Sequence, residues 1–341
     1  MAKTNNKVVR VAAAKMRQVF ETILMDLGFN KKDALTCALT FTENSLDGVY
    51  THGVYRFPRF VEYIKGGHVL PGAKPLLKHA FGNIEQWSGE LGPGILNALH
   101  ATGRAMELAK KSGLGCVTLS DTNHWMRGGT YGWKAAKNGF AFICWTNTIA
   151  NMPAWGAKDA KLGNNPLILA VPYNKEAIVL DMAMSQFSFG TLEKVQLENQ
   201  PLSVFGGFDE AGELTRDAAS VLKSGRPIPV GYWKGAGLAL LLDILAAIFS
   251  GGLSTHDISK GKVEIGLSQV FIAIDLSKFE NYTAIPQTIE NIIKDYHQSL
   301  PIATDRKILY PGERVLKARK DNTKNGIPVV KKVWDEIVSL Q

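Results

Sequence analysis

Two side chains that suit proton transfer and anion binding, His52 and Arg56, lie four residues apart in the segment Thr51-His52-Gly53-Val54-Tyr55-Arg56. A histidine exchanges a proton near neutral pH, and an arginine can bind a carboxylate through two parallel hydrogen bonds. An apolar helical pattern ends at Asp47-Gly48, and Pro58 begins the next predicted helix. The two side chains can therefore face one small anionic substrate, although a turn histidine that caps a backbone group would fit the same pattern.

A second polar cluster, Asn123-His124-Trp125-Met126-Arg127-Gly128-Gly129, follows a short strand predicted at Cys116 to Ser120. Polar residues after a strand end are a usual place for a ligand site in α/β sheets. His124 is thus a second candidate site residue. The alternative is a histidine that caps the helix predicted from Thr130 to Lys137.

A third candidate, Trp233-Lys234-Gly235-Ala236-Gly237, precedes an apolar run from Leu238 to Phe249. Backbone N–H groups at a helix N-terminus together with a lysine suit a phosphate, although glycines that serve helix packing would look the same. The third glycine of the dinucleotide fingerprint is replaced by Leu240, so a Rossmann site is rejected. The apolar run predicts a buried core helix that is too short to span a bilayer, with Asp243 needing a hydrogen-bonded partner.

Taken together, these segments resemble the malate/L-lactate dehydrogenase family, which comprises nicotinamide-dependent 2-hydroxyacid oxidoreductases unrelated to the Rossmann enzymes. The segment Thr51 to Arg56 is similar to its Ser-His-Gly-Val-x-Arg signature. Gly163-Asn164-Asn165-Pro166, Asp181-Met182-Ala183-Met184-Ser185 and Gly231-Tyr232-Trp233-Lys234-Gly235 follow in the order that the family has them. Asn123 to Trp133 is closer to the branch that reduces 2,3-diketo-L-gulonate.

The resemblance implies a role for each candidate residue. His52 would donate the proton when hydride reaches the C2 carbonyl of a 2-oxo acid, Arg56 would bind the carboxylate, and His124 would steady the carbonyl. Arg127 would bind hydroxyls of a sugar-acid tail, with Trp125 as a flat wall, although pairing of Arg127 with a carboxylate is the alternative. The cofactor would be NADH, with NADPH left open, held by Ala177, Ile178, Val179, Leu180, Asp181, Met182, Ala183, Trp233, Lys234, Gly312, Glu313 and Arg314.

The composition indicates an ordinary globular α/β protein, with 341 residues, 45% hydrophobic and 21% charged residues and 33 glycines. Apolar runs at Pro166 to Val171 and Ala177 to Met182 predict a hairpin, so we expect a mixed, partly antiparallel sheet with flanking helices, in a non-Rossmann nicotinamide-binding fold with N- and C-terminal helical segments. Residues 185–230 are predicted to form a long ordered excursion that acts as a lid or dimer arm. Residues 1–115 with 285–341 would form a mainly helical substrate and dimer region, and residues 116–284 the cofactor region.

The net charge and the cysteine content indicate which ligands and which cellular compartment to expect. A net charge of +8 and a pI of about 9.2 suit an anionic substrate and a dinucleotide, and no nucleic-acid motif accompanies them. Three separated cysteines predict buried, reduced thiols. With no signal pattern at the N-terminus, we expect a cytoplasmic protein without membrane contact. The resemblance adds a homodimer.

Other functions stay open from the sequence. A malate- or lactate-type dehydrogenase is the alternative within the same family. A metal-dependent hydrolase would need clustered ligands, and none of the seven histidines lies in such a pattern. No G-x-S-x-G segment supports a serine nucleophile. A small-anion binding protein would tolerate two histidines and two arginines on turns, and bound nicotinamide would distinguish it from the reductase.

Overall fold

A seven-stranded mixed sheet forms the centre of the computed structural model, which describes residues 7–303 and 306–341. The first half of the chain contains β1 (Val8–Val11), α1 (Ala13–Asp26), α2 (Lys31–Leu46), a 3-10 turn (Tyr50–His52), α3 (Phe57–Lys65), β2 (Leu76–Phe81), β3 (Ile84–Ser88), α4 (Gly94–Ser112), β4 (Leu114–Thr122), α5 (Gly129–Lys137), β5 (Phe140–Thr146), β6 (Met152–Pro153), β7 (Ala160–Leu162), β8 (Leu167–Tyr173) and β9 (Glu176–Met182).

The second half begins with a mainly helical segment and returns once to the sheet. It contains α6 (Phe189–Glu198), β10 (Gly207–Phe208), β11 (Leu214–Thr215), α7 (Ala218–Ser224), α8 (Trp233–Ser250), α9 (Thr255–Ile258), β12 (Leu267–Asp275), two 3-10 turns (Leu276–Lys278 and Tyr282–Ala284), α10 (Ile285–His297), α11 (Glu313–Asn325), β13 (Ile327–Val330) and α12 (Lys331–Val338).

The strand order is β2-β3-β4-β12-β5-β8-β9, with β3 and β4 parallel and the other neighbours antiparallel. The expected mixed sheet with flanking helices is therefore confirmed. The predicted hairpin is β8–β9, where Tyr173 pairs with Glu176 across a two-residue loop. Because β9 is the last strand in this order, one side of its backbone is free to bind other groups.

Both faces of the sheet are covered by helices, because successive side chains of a strand point to opposite faces. On β12, Phe271 packs in one apolar cluster with residues of α4 and α5. Its neighbour Val270 packs in another cluster with Ala239 and Leu242 of α8. The sheet is thus a rigid middle layer, and its strand ends carry the loops that form the site.

The two ends of the chain share a separate helical core. Strand β1 pairs with β13, and α1, α2, α3 and α12 share one apolar cluster. In it Phe20 stacks on Phe57, and Phe41 meets both rings edge-on. Val11 ends β1, and helix α1 begins two residues later at Ala13. A four-residue strand whose partner lies at the other end of the chain leaves no periodic signal in the sequence.

Part of the N-terminal region belongs to the sheet. Trp87 and Ser88 end strand β3, and Gly94 begins α4. The hairpin β2–β3 and helix α4 thus form an edge and a face of the sheet. The region boundary expected at residue 115 therefore separates β2, β3 and α4 from the sheet to which they belong.

The prediction that residues 238–249 form a buried core helix is wrong. Helix α8 is 18 residues long, and it buries Ala239, Leu242 and Ala246 while Leu241 and Ile248 remain 55% and 63% exposed. By length and composition alone α8 could cross a membrane, but it packs along the sheet on β12, β4 and β5. A helix that is apolar all round does not reveal which side is covered. Asp243 has the expected partners, accepting hydrogen bonds from Asn147 Nδ2 at 2.9 Å and Thr255 N at 2.8 Å.

Residues 185–230 form an ordered excursion, as predicted, with a small core of their own between α6 and α7. A bridge from Ser185 to Pro229 joins its two ends. Gly190 of α6 packs directly against Thr51, because a Cβ there would lie 2.4 Å from a side-chain carbon of Thr51. Its role as a lid or dimer arm stays a prediction. The three cysteines are buried and free, as expected.

Candidate active site

The turn that carries His52 is fixed to the end of helix α2. The Ser45 hydroxyl accepts a hydrogen bond from Val54 N at 2.9 Å, and Asn44 Nδ2 donates to the His52 carbonyl at 3.0 Å. A Cβ at Gly53 would lie only 2.2 Å from Ser45 Oγ, so no larger residue fits without movement. Thr130 of α5 donates to Asn44 at 2.7 Å and ties the turn to the sheet layer. His52 therefore has a position set by two elements.

The loop that carries His124 lies directly on the N-terminus of α4. A Cβ at Gly94 would be 2.2 Å from the Asn123 carbonyl oxygen and 2.4 Å from that of His124. Met126 is in the left-handed region, with φ 67°, and its N–H donates to His124 Nδ1 at 3.0 Å. Since Nδ1 accepts, the neutral ring carries its proton on Nε2, which remains a hydrogen-bond donor.

The structure brings the two predicted histidines together. Their ring centroids are 5.8 Å apart and the planes differ by 14°. Burial lowers the pKa of His52 to about 4; the charge of Asp181 opposes this shift, and Arg56 and Arg127 add to it. Burial also lowers the pKa of His124 well below its usual range, with Arg56 and His52 contributing. Both rings are therefore neutral at pH 7 in the free protein.

Arg56 completes this group beside His124. Its side chain is half-buried, and its guanidinium has no ion-pair partner within residues 7–303 and 306–341. Burial lowers the pKa of Arg56, with the charge of Glu264 opposing the shift. Arg56 and His124 line the same small cleft, of about 10 Å³, with Asn123 and Met126 on its walls. A guanidinium without a protein carboxylate is suited to a substrate carboxylate.

Arg127 has a different setting. Its side chain is 4% exposed, and it pairs with the buried carboxylate of Asp47. Its Nε lies 3.7 Å from Asp181 Oδ2. Contact with a substrate hydroxyl therefore stays a prediction. Trp125 is not a wall of the site, because it is 1% exposed and packs on Tyr131 and Phe271 in the core.

Two of the three predicted cofactor segments meet at the edge of the sheet. Val179 N donates to the Pro311 carbonyl at 3.1 Å, which places β9 against the turn before α11. A cavity of about 470 Å³ lies there, lined by Leu180, Tyr296, Lys307, Ile308, Leu309, Tyr310, Pro311, Gly312, Arg314 and Val315. Glu313 faces its own helix end, accepting from Tyr310 N at 3.1 Å and contacting His297 Nε2 at 3.0 Å.

The residues at this edge fit a dinucleotide. In an antiparallel pair, residues two apart direct their backbone groups to the same side. Ala177 and Asp181 therefore present N–H and C=O groups on the outer edge, where Val179 bonds Pro311. A Cβ at Gly312, φ 97°, would lie 3.3 Å from Val179 N, so this close approach requires glycine. Arg314 and Lys307 supply positive charge for phosphates.

Trp233 and Lys234 do not line that cavity. They form the first turn of α8, and both are exposed. They connect to the end of β9 through Val230, whose N–H donates to the Met184 carbonyl at 2.7 Å. The predicted phosphate-binding arrangement also changes, because Gly235 and Gly237 lie inside the helix and Lys234 N already donates to the Gly231 carbonyl at 3.3 Å.

Sequence reasoning missed Asp47 and Arg319. Asp47 was interpreted only as the end of a helix, but its carboxylate accepts from Arg319 Nε at 2.6 Å as well as from Arg127. No local signal could have joined positions so far apart in the chain. Among the described residues, no three His, Cys, Asp or Glu side chains gather in an arrangement that could hold a metal ion. The metal-dependent hydrolase alternative thus lacks a ligand set there.

Known proteins resemble this chain over nearly its whole length. The sequence signature of the malate/L-lactate dehydrogenase family matches residues 11–338. The chain belongs to this family. It is 40% identical over 334 residues to a 2,3-diketo-L-gulonate reductase of Escherichia coli O6:K15:H31 (strain 536 / UPEC), covering 97% of this chain and 100% of the relative.

Solved structures support the same fold. The malate dehydrogenase of Pyrococcus horikoshii OT3 aligns with a TM-score of 0.88 at 27% identity, over 98% of this chain and 95% of that one. The malate dehydrogenase of Entamoeba histolytica aligns with a TM-score of 0.91 at 23% identity, over 98% and 97%, and indicates the fold alone. As a malate/L-lactate dehydrogenase family member, the chain is an oxidoreductase that acts on a CH–OH group, and its relatives indicate a nicotinamide cofactor.

Proposed function

We propose that this chain reduces a 2-oxo sugar acid, with 2,3-diketo-L-gulonate as substrate, 3-dehydro-L-gulonate as product and NADH as the hydride donor. The observation that carries the proposal is the group formed by His52, His124 and Arg56. It combines two neutral imidazoles, 5.8 Å apart, with a guanidinium that has no carboxylate partner among the described residues. The similarity to a 2,3-diketo-L-gulonate reductase supports the choice of substrate.

The protein's part in the reaction is to hold the acid and move one proton. Strand β9 and the Gly312 turn would hold NADH, which would supply the hydride that reduces the carbonyl carbon. Arg56 binds the substrate carboxylate with two hydrogen bonds, and His124 donates from Nε2 to the carbonyl oxygen. His52 then delivers a proton to that oxygen as negative charge develops on it.

The low pKa of His52 in the free protein is compatible with this role. The charge of Arg56 helps to keep the imidazole neutral, and a bound carboxylate would offset that charge. The charge of Asp181, which already acts on His52 more strongly than either arginine, would then be opposed mainly by Arg127 and would favour the protonated ring. Binding of the anionic substrate thus prepares the proton donor, and unliganded protein keeps a neutral imidazole.

NADPH stays open as an alternative cofactor. Arg314 and Lys307 in the cavity are suited to a ribose phosphate as well as to a pyrophosphate. Titration of protein fluorescence with NADH and with NADPH at equal ionic strength will rank the two. Lys234, at the exposed start of α8, is proposed to meet a phosphate as a point charge.

A malate- or lactate-type activity is the second candidate, because the matching family is that of malate/L-lactate dehydrogenases and a malate dehydrogenase shares the fold at 27% identity. The deciding experiment compares NADH oxidation with 2,3-diketo-L-gulonate, oxaloacetate and pyruvate. The proposal expects the highest kcat/KM for the six-carbon acid, since a site that bonds hydroxyls discriminates against analogues that lack them. A higher value for oxaloacetate or pyruvate would support the second candidate. Loss of all three activities with both cofactors would contradict the reductase proposal.

We also propose a homodimer in the cytoplasm, without nucleic-acid or membrane partners. The exposed apolar face of α8, with Leu241, Ile244 and Ile248, supports association, because such stripes seldom remain open to water. Light scattering after gel filtration should give about twice the mass of one chain. Leu241→Asp with Ile248→Asp should give a monomer if α8 forms the interface, and an unchanged mass would place the interface elsewhere.

A further inference from the structure

A buried carboxylate behind the site, Asp47, binds two arginines from distant parts of the chain. Its side chain is 7% exposed and follows the end of α2. Arg319 Nε lies 2.6 Å from Oδ1 and Arg319 Nη2 lies 3.0 Å from Oδ2. Arg127 Nη1 donates to the same Oδ2. Both carboxylate oxygens therefore accept hydrogen bonds from guanidinium groups.

Arg127 lies between two carboxylates. Beyond Asp47, its Nε is 3.7 Å from Asp181 Oδ2 and makes no hydrogen bond to any described residue. Asp181 Oδ2 instead accepts from Gly129 N at 2.8 Å. Asp181 in turn acts on His52 through its charge. Positive and negative charges thus alternate along Arg319, Asp47, Arg127 and Asp181, and this row ends at the His52 ring.

Because of this order, the Arg127 guanidinium could pair with either of two carboxylates, Asp47 or Asp181. In a buried site an ion that loses its partner is destabilised strongly, because water cannot replace the lost interaction. Without the charge of Asp47, the Asp181 carboxylate is the nearest group that could compensate Arg127, 3.7 Å away. Closer pairing with Arg127 would draw the charge of Asp181 away from His52.

We propose that Asp47 is a positioning residue that holds Arg127 apart from Asp181, so that the Asp181 carboxylate stays available to stabilise protonated His52. This inference rests on the reduction proposed above, in which His52 gives up a proton. Asp47 itself touches neither substrate nor cofactor in this scheme. Its effect passes through Arg127, which binds Asp47 and lies 3.7 Å from Asp181. Asp181 then acts on His52 through its charge.

Several other charged or titratable groups lie around His52 and Asp47. Around His52 these are Asp181 of β9, Arg56 before α3, Arg127 before α5 and the neutral ring of His124. Around Asp47 they are its partners Arg127 and Arg319, together with Glu43 one turn earlier on α2, whose pKa is raised by burial and by the charge of Asp47. On the outer side, Glu176 binds Arg319 at 3.4 Å and Lys137 at 2.7 Å.

The test replaces Asp47 by Asn and measures kcat against pH with NADH and the best 2-oxo acid. In the pH profile of kcat, the fall on the alkaline side is called the alkaline limb. In Asp47→Asn this limb should lie about one pH unit lower than in the wild type, which is the lower end of the effect of a nearby charge on a pKa. At a pH above the limb this lowers kcat about tenfold. NADH affinity should not change. Asp47→Glu keeps the negative charge, so its alkaline limb should lie close to that of the wild type.

Glu85→Gln is the matched control. Glu85 is also a buried carboxylate, 8% exposed, that binds one arginine twice, with Arg104 Nη2 at 2.6 Å from Oε1 and Nε at 3.2 Å from Oε2. It lies on β3 and has no contact with the path above. This variant should lose stability without a shift of the limb. An equal shift in Glu85→Gln and Asp47→Asn would overturn the proposal, as would an unshifted limb in Asp47→Asn.

Two further variants keep the test decisive. Should Asp47→Asn not fold, Asp47→Asn with Arg319→Gln removes one charge of each sign and should give the same shift. Glu43→Gln combined with Asp47→Asn excludes compensation by Glu43, and should shift the limb at least as far. A double variant with the wild-type limb would overturn the proposal.

A readout without turnover separates this inference from the proposed function. NMR titration of the histidine rings gives the pKa of His52 in the free protein, with His52→Gln used to assign its signal. The midpoint, near 4 in the wild type, should be lower in Asp47→Asn and unchanged in Glu85→Gln. If no 2-oxo acid is reduced but the midpoint moves, the function fails and the positioning role stands. If a 2-oxo acid is reduced but the midpoint does not move in Asp47→Asn, the function stands and the positioning role fails.

Discussion

The two ends of the site differ in how the protein forms them. At the substrate end, His52 and His124 are partly buried, and the loops that carry them are fixed by hydrogen bonds and by glycines with no space for a side chain. At the cofactor end, an open cavity runs along the edge strand β9, and Lys234 of the nearby α8 is exposed. Enclosed charges act strongly on each other, whereas exposed charges are screened by water. We therefore expect substitutions at the first end to change rates and those at the second to change affinity.

The largest effect should come from the proposed proton donor. His52→Ala should lower kcat by about 10²–10⁴-fold, the usual contribution of one placed acid, while NADH affinity stays within a factor of about two. Steady-state kinetics and fluorescence titration measure the two quantities. Near-normal turnover in this variant would remove His52 from the mechanism and weaken the contrast between the two ends.

A smaller loss is expected from the carboxylate-binding group. Arg56→Gln should lower kcat/KM by roughly 10- to 100-fold, because a hydrogen bond to a charged group contributes about 1.5–3 kcal/mol. Most of the loss should appear in KM for the 2-oxo acid. Arg59→Gln, at the exposed rim of the same cleft, is the control and should change KM only slightly. Equal losses in both variants would mean that general positive charge, rather than Arg56 itself, attracts the substrate.

The third prediction concerns pH. Reduction needs protonated His52, so activity should fall as pH rises through its pKa. In the free protein that pKa is about 4. A bound carboxylate offsets Arg56 and raises the pKa, so the falling limb of kcat should lie at higher pH than that of kcat/KM. Coincident limbs, measured from pH 4 to 9 at constant ionic strength, would show that substrate binding does not change the charge felt by His52.

The smallest effect should come from the exposed cofactor end. Lys234→Ala should weaken NADH binding by about two- to fivefold, the range for a solvent-exposed ion pair, and leave kcat unchanged. The effect should shrink as salt is added. Lys110→Ala, exposed on α4, is the control. Unchanged affinity in Lys234→Ala would place the phosphates away from α8, and a large loss of kcat would contradict the contrast between the two ends.

The sequence was sufficient for those parts of the fold whose signals are local. Alternating apolar runs with a short polar loop predicted the β8–β9 hairpin, and helical spacing predicted α2, α3 and α5. The motif around His52 and the cluster around His124 indicated the family, and both histidines lie in one group in the structure. Each of these features depends on residues close together in the chain. Local patterns were therefore enough to locate them.

Only the tertiary structure decided which side of α8 is covered, that β1 pairs with β13, and that Trp125 lies in the core. It also placed Arg127 between Asp47 and Asp181, where the sequence favoured a substrate contact and left an ion pair as the alternative. Burial and the charges around a group depend on elements that are distant in the chain. Composition and spacing determined which side chains could do chemistry, whereas packing determined which of them are enclosed, paired or free to bind a substrate.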